Sequence, residues 1–121
     1  MWVSVAWLAL ALVHTPPALA TFSAQLRKRM YGVDDAGPLG LILAHRGVLF
    51  LAVASVCVLA AFNADARIAA ALVTTISVVG FLGGYLLHKA PRRLRVIALI
   101  DAIALIPLAL VGVDVWARLS A

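Results

Sequence analysis

The side chains able to do acid–base or ion-binding chemistry lie inside or beside long apolar runs: His14, His45, Arg46, Tyr85, His88 and Asp101. Ionisable groups are costly in hydrocarbon, so such positions are functional candidates by default. Arg46 stands seven residues past Leu39, where the second apolar run starts, and Asp101 seven past Leu94, where the fourth starts. Both runs enter from the same side in a four-span chain. At about 1.5 Å per residue both groups then sit roughly 10 Å in. The spacing predicts an Arg46–Asp101 pair. It can fix helix register, or form a ligand or proton site. The third reading is no pair, with Arg46 snorkelling to headgroups. His45 is the alternative partner, although adjacent helix residues cannot both face Asp101.

His14 nears the end of the first run, and Tyr85 and His88 the end of the third. All four runs thus bring a polar group to one layer. His14, beside Pro16, is expected to bond a carbonyl freed by the proline. Three histidines on three runs contain no i, i+4 ligand pair, so no metal and no cofactor are expected. Ser77, Gly80 and Gly84 make a small-residue face with a GxxxG spacing. It is expected to pack inside the bundle, with homodimerisation as the alternative. Thr74, Thr75 and Ser77 are expected to bond within their own helix. Cys57 reads as a small buried hydrophobe.

These residues need helices to position them, and the composition says which kind. Of 121 residues 65% are hydrophobic and 12% charged, with a mean hydropathy of +1.11. That is too little polar surface for a soluble fold. It excludes a soluble enzyme, a disordered chain and a disulfide-stapled domain. The reading is all-α: a four-helix transmembrane bundle forming one domain over 1–121. Its spans lie at about 2–20, 39–62, 68–87 and 94–116. Pro16-Pro17 is expected to break the first span, with Thr15 as N-cap of a second helical piece. A basic amphipathic segment over about 18–31 should lie at the membrane surface and stop at Gly32. Pro107 is expected to kink the fourth span. Ala18-Leu19-Ala20 before Thr21 also fits signal-peptide cleavage. That alternative is disfavoured because no Lys or Arg precedes it.

Lys plus Arg is 10 against 5 Asp and no Glu. Eight of the ten basic residues fall in or beside loops one and three, leaving only Arg67 and Arg118 opposite. The positive-inside rule then puts both termini outside and loops one and three in the cytoplasm. Trp2 and Trp116 fall at the outer interface, and Tyr31 and Tyr85 near the inner one. Nucleic-acid binding is not expected, since no basic face carries interleaved aromatics.

At Tyr31-Gly32-Val33-Asp34 and His45-Arg46-Gly47-Val48-Leu49-Phe50 the chain resembles small bacterial four-helix membrane proteins. These often carry the automatic label "phosphopantetheine adenylyltransferase" and look distantly like the DoxX type. The likeness extends to His14 before proline, Ser77 with Phe81, and Arg95-Val96 leading to Asp101. Gly47 stands where the resemblance leads one to expect alanine, a minor change at a helix-packing position. The resemblance implies four membrane helices with recurrent His-Arg and Asp positions, in a bacterial inner membrane. It implies no activity. The enzymatic label fails on chemistry, since adenylyl transfer needs a phosphate-cradling backbone and a paired-histidine motif. Neither is present.

The expected role is a non-enzymatic accessory or assembly subunit of a larger membrane complex. Its partners would be lipids and other membrane subunits, or further copies of itself. The alternative is a protein that binds or transports a small molecule at the polar layer: a quinone, a lipid or an amphipathic anion drawn by Arg46. An intramembrane enzyme is a third class, for which no nucleophile is evident.

Overall fold

The computed structural model describes residues 1–34 and 37–121. Five helices run in order: α1 (Trp2–Leu19), α2 (Ala24–Tyr31), α3 (Pro38–Phe62), α4 (Arg67–Leu87) and α5 (Arg95–Leu119). Short 3-10 turns precede α2, α4 and α5. Four helical segments, at 2–22, 38–62, 64–87 and 92–119, are long and apolar enough to cross a membrane. α1 packs between α3 and α5, and α4 closes the ring against α5 and α3. Both termini lie at one end, the termini end. α2 and the α4–α5 turn share the other, the basic end. There Arg93 donates to the Gly32 carbonyl over 2.7 Å and ties the two together.

The break in the first span is not where the prolines predict it. α1 runs through Pro16 and Pro17 to Leu19, and the chain turns instead at Ser23 (φ −139°, ψ 109°). Thr15 is not an N-cap. It lies inside α1, and its hydroxyl bonds the Ala11 carbonyl over 2.8 Å. Proline removes an N–H and crowds the carbonyl four residues back. Here that burden falls in the last turn, where few bonds remain to lose, and the side chains of His14 and Thr15 clasp the turn before it. Ser23 is the real cap: its hydroxyl accepts from Leu26 N over 3.1 Å. Gly32 ends α2 in the left-handed region (φ +65°), as the sequence predicts. Pro107 sits inside α5 without ending it.

The core lies toward the termini end. Trp7 and Leu10 of α1 meet Cys57 and Ala60 of α3, Ala70 of α4 and Val111 of α5, all fully buried. Alanine at several of these positions lets backbones approach closely, the main source of helix association where lipid is as apolar as leucine. Cys57 Sγ lies 3.3 Å from Thr74 Oγ1 and joins α3 to α4. At the rim Asp114 accepts from Arg67 at 3.4 Å and Arg118 at 2.8 Å, and Arg67 Nε also reaches the Ala60 carbonyl at 3.0 Å. The outer surface is apolar: Leu41, Leu72, Ile76, Ile106 and Val113 are all more than 60% exposed.

Close approach recurs once at the basic end. A Cβ on Gly47 would collide with Thr21 Oγ1 and stand 2.9 Å from Thr21 N and 3.0 Å from the Pro17 carbonyl. Backbone cannot yield as a side-chain tip can. Alanine here is therefore not the minor change the sequence suggested: the glycine lets α3 lie directly on the end of α1.

Candidate functional site

A layer of polar side chains crosses the bundle below the core, and every long helix contributes. α1 supplies His14, which is 1% exposed. Its Nδ1 lies 2.8 Å from the Leu10 carbonyl, which can only accept, so that nitrogen carries a proton. Leu10 belongs to its own helical turn. The bonded carbonyl is therefore not one freed by the prolines, which would be Leu12 or Val13. Nε2 faces Ser77 Oγ of α4 at 3.4 Å. In a neutral ring Nε2 accepts the serine proton. The ring also stands 5.7 Å from Phe50 of α3.

Arg46 of α3 reaches sideways toward α4. Its guanidinium carbon lies 4.9 Å from the Phe50 ring centroid and 5.4 Å from that of Phe81. Phe50 is one helical turn further along the same face. Phe81 comes from α4 and stacks in turn on Tyr85, with centroids 6.2 Å apart. Cation–π attraction of this kind contributes about 0.5–2 kcal/mol, more as water is excluded. Arg46 Nε is buried and bonds nothing.

Asp101 of α5 is 7% exposed. It and Arg46 make no ion pair. Among the described residues the pairs are Lys28–Asp34, Arg67–Asp114 and Arg118–Asp114. Arg46 and Asp101 instead line one inner cavity of about 40 Å³, together with His14 and Tyr31. That space suffices for water. α2 roofs the cavity with Met30 and Tyr31, held by Arg27, which donates to the Ala20 and Thr21 carbonyls at 2.9 and 3.1 Å.

On its other side Arg46 lines a second cavity, a groove of about 630 Å³ between α3 and α4. Toward the core its walls are Val53, Val73 and Ile76. Toward the basic end they are Phe81, Tyr85 and His88. His88 Nδ1 lies 2.8 Å from the Gly84 carbonyl, and the end of α4 turns through left-handed Lys89 (φ 62°) and Ala90 (φ 50°). Such conformations cost a non-glycine residue about 1–2 kcal/mol.

The structure thus brings together His14, Ser77, Arg46 and Asp101. It does not bring His45, which is exposed. Tyr85 and His88 line the groove and not the inner cavity. Gly80 and Gly84 do not seat a helix within the protein: a Cβ at either would meet nothing within 4 Å, and both line the groove. Ser77 serves the layer as partner of His14, not as helix packing. Sequence reasoning missed Phe50 and Phe81 as neighbours of the guanidinium, and Tyr31 as a cavity wall. The i, i+4 spacing of Arg46 and Phe50 was the available signal. Nothing local marks Phe81 or Tyr31.

The chain matches no family model, no curated protein and no solved structure.

Proposed function

We propose that the protein is a non-enzymatic, multi-pass protein of a bacterial cytoplasmic membrane that binds an amphipathic small molecule in the α3–α4 groove. The observation that carries this reading is the lining of the groove. About 630 Å³ is within the usual range for ligand sites. One end is apolar, and the other holds Arg46, Tyr85 and His88. That graded polarity runs along the helices, as it does along a lipid lying across one leaflet. Both termini face outside and the basic end faces the cytoplasm, because Lys and Arg concentrate there.

A Cβ at Gly80 meets nothing within 4 Å, so Gly80→Leu directs its side chain from α4 into the groove. Native mass spectrometry after purification in mild detergent should find a retained small molecule at fixed stoichiometry on the natural chain and not on Gly80→Leu. Equal retention by both would overturn the proposal.

One observation favours a second reading, an accessory subunit of a larger complex. Gly80 and Gly84 turn their bare backbone to open space, where a partner's helix can approach closely. A protein partner at fixed stoichiometry, released by Gly80→Leu, would support that reading over the first.

A further inference from the structure

We infer that the groove takes a ligand with an anionic head on a single apolar chain, and that Asp101 is the internal rival of that head for Arg46. The inference rests on the groove being a ligand site and goes on to name the ligand's chemistry. Three observations lead to it.

First, Arg46 is a cation with no ion-pair partner among the described residues. Its buried Nε bonds nothing. A guanidinium so placed leaves donor capacity unused at an energetic cost, and a carboxylate or phosphate matches its planar fork. The two phenyl rings contact the group but accept no conventional hydrogen bond.

Second, no acidic residue among those described lines the groove, while the Tyr85 hydroxyl offers a further donor beside Arg46. The groove runs along α4 from Val73 to His88, about 22 Å at 1.5 Å per residue. That is over half of a roughly 30 Å hydrocarbon core. It fits one extended chain lying beneath a head at the basic end.

Third, Arg46 and Phe50 line both cavities, and Asp101 lines only the inner one. Asp101 is 7% exposed, with no hydrogen bond or ion pair among the described residues. A buried carboxylate needs a cation or bound water, and Arg46 is the cation lining its cavity. A swing of one guanidinium therefore serves either the ligand head or Asp101. Removing the charge of Asp101 should release Arg46 to the groove and strengthen binding of the anion.

The test uses the full chain in uncharged detergent with three probes sharing one chain: hexadecanoate, hexadecyl phosphate and hexadecanol. Both anions should bind at least about ten-fold more tightly than the alcohol. The carboxylate and phosphate arms tell a fatty acid from a phospholipid-type head. Arg46→Gln should bring the anions down to the level of the alcohol and leave the alcohol unchanged. Asp101→Asn should tighten the anions several-fold and leave the alcohol unchanged.

Alcohol binding as tightly as the anions would overturn the anionic head and leave the groove as a ligand site. Failure of all three probes to bind would remove the ligand-site reading itself. Weaker anion binding in Asp101→Asn would overturn the rivalry, making Asp101 a support of the site. Should Arg46→Gln not fold, the anion–alcohol comparison on the natural chain and the Asp101→Asn arm still decide.

Discussion

The two ends of this bundle are built from the same four long helices and differ in what lies between them. At the termini end α3 meets α4 directly, through Cys57 and Thr74 at 3.3 Å. At the basic end the same helices are parted by Arg46, Phe81 and a groove of about 630 Å³. Size alone does not make the second end special. A groove of about 720 Å³ also lies between α1 and α5 toward the termini end, walled by Trp2, Val5, Ile106 and Leu110 and by no ionisable side chain. What distinguishes the α3–α4 groove is an arginine on its wall. Between α3 and α4, direct contact closes the termini end, and a guanidinium stands on the wall of the open basic end.

That contrast can be broken from the closed end first, where the effects are largest. Trp7 is fully buried among α3, α4 and α5 partners. Trp7→Ala leaves a large void and should cost about 2–3 kcal/mol. That is below the ~3–5 kcal/mol of water-soluble cores, because lipid removes the transfer term and leaves the lost packing. Trp7→Phe should stay within about 1 kcal/mol of the natural chain, since it keeps a ring and deletes an Nε1 that bonds nothing. Unfolding by anionic detergent from mixed micelles measures both. A cost for Trp7→Phe near that of Trp7→Ala would mean that the site needs the full indole and that a smaller ring does not fill it.

Gly47→Ala comes next, at about 1–3 kcal/mol by overpacking. It tests a tight contact at the open end, since its Cβ meets Thr21 and Pro17 backbone. A neutral result would show that the end of α1 yields easily. Asp114→Asn should cost about 1 kcal/mol, because Arg118 is more than a third exposed to water and salt and the less exposed Arg67 contact is long at 3.4 Å. Added salt should shrink that difference. An unchanged difference at high salt would place the pair in a drier setting than its position at the rim implies.

The contrast between the ends was only partly legible in the sequence. The four long apolar helices were, because length and hydropathy suffice to mark them. So was the depth shared by Arg46 and Asp101, which one rise per residue supplies. Their failure to pair was not. It depends on the direction Arg46 takes, and Phe81, thirty-five residues away, helps set that direction. The break at Ser23 was hidden for a different reason. Two prolines are the stronger local signal, yet their penalty depends on how many helical bonds lie beyond them, and here α1 ends at Leu19. Gly47 misled in the same way. A glycine's meaning depends on what stands opposite, and Thr21 is reached only through the fold.

Gly80→Ala should have the smallest effect on stability and one of the more informative effects on function. A Cβ there meets nothing within 4 Å. No packing is lost, and the helix interior exchanges glycine for a better helix former, a gain of up to about 1 kcal/mol. The same methyl projects into the groove, one residue before Phe81 and level with the chain of any bound amphiphile. The expected pattern is a slightly more stable protein that binds hexadecanoate and hexadecanol equally less well. The loss is shared because it falls on the chain and not on the head. A substitution in the α1–α5 groove, Ile106→Phe, should leave both affinities untouched. If Gly80→Ala instead weakens only the anion, the head reaches deeper than Arg46 and the polar end of the groove extends past Phe81 toward the core. If Gly80→Ala and Ile106→Phe weaken binding alike, the ligand does not distinguish the grooves and the charge on the wall does not select the site.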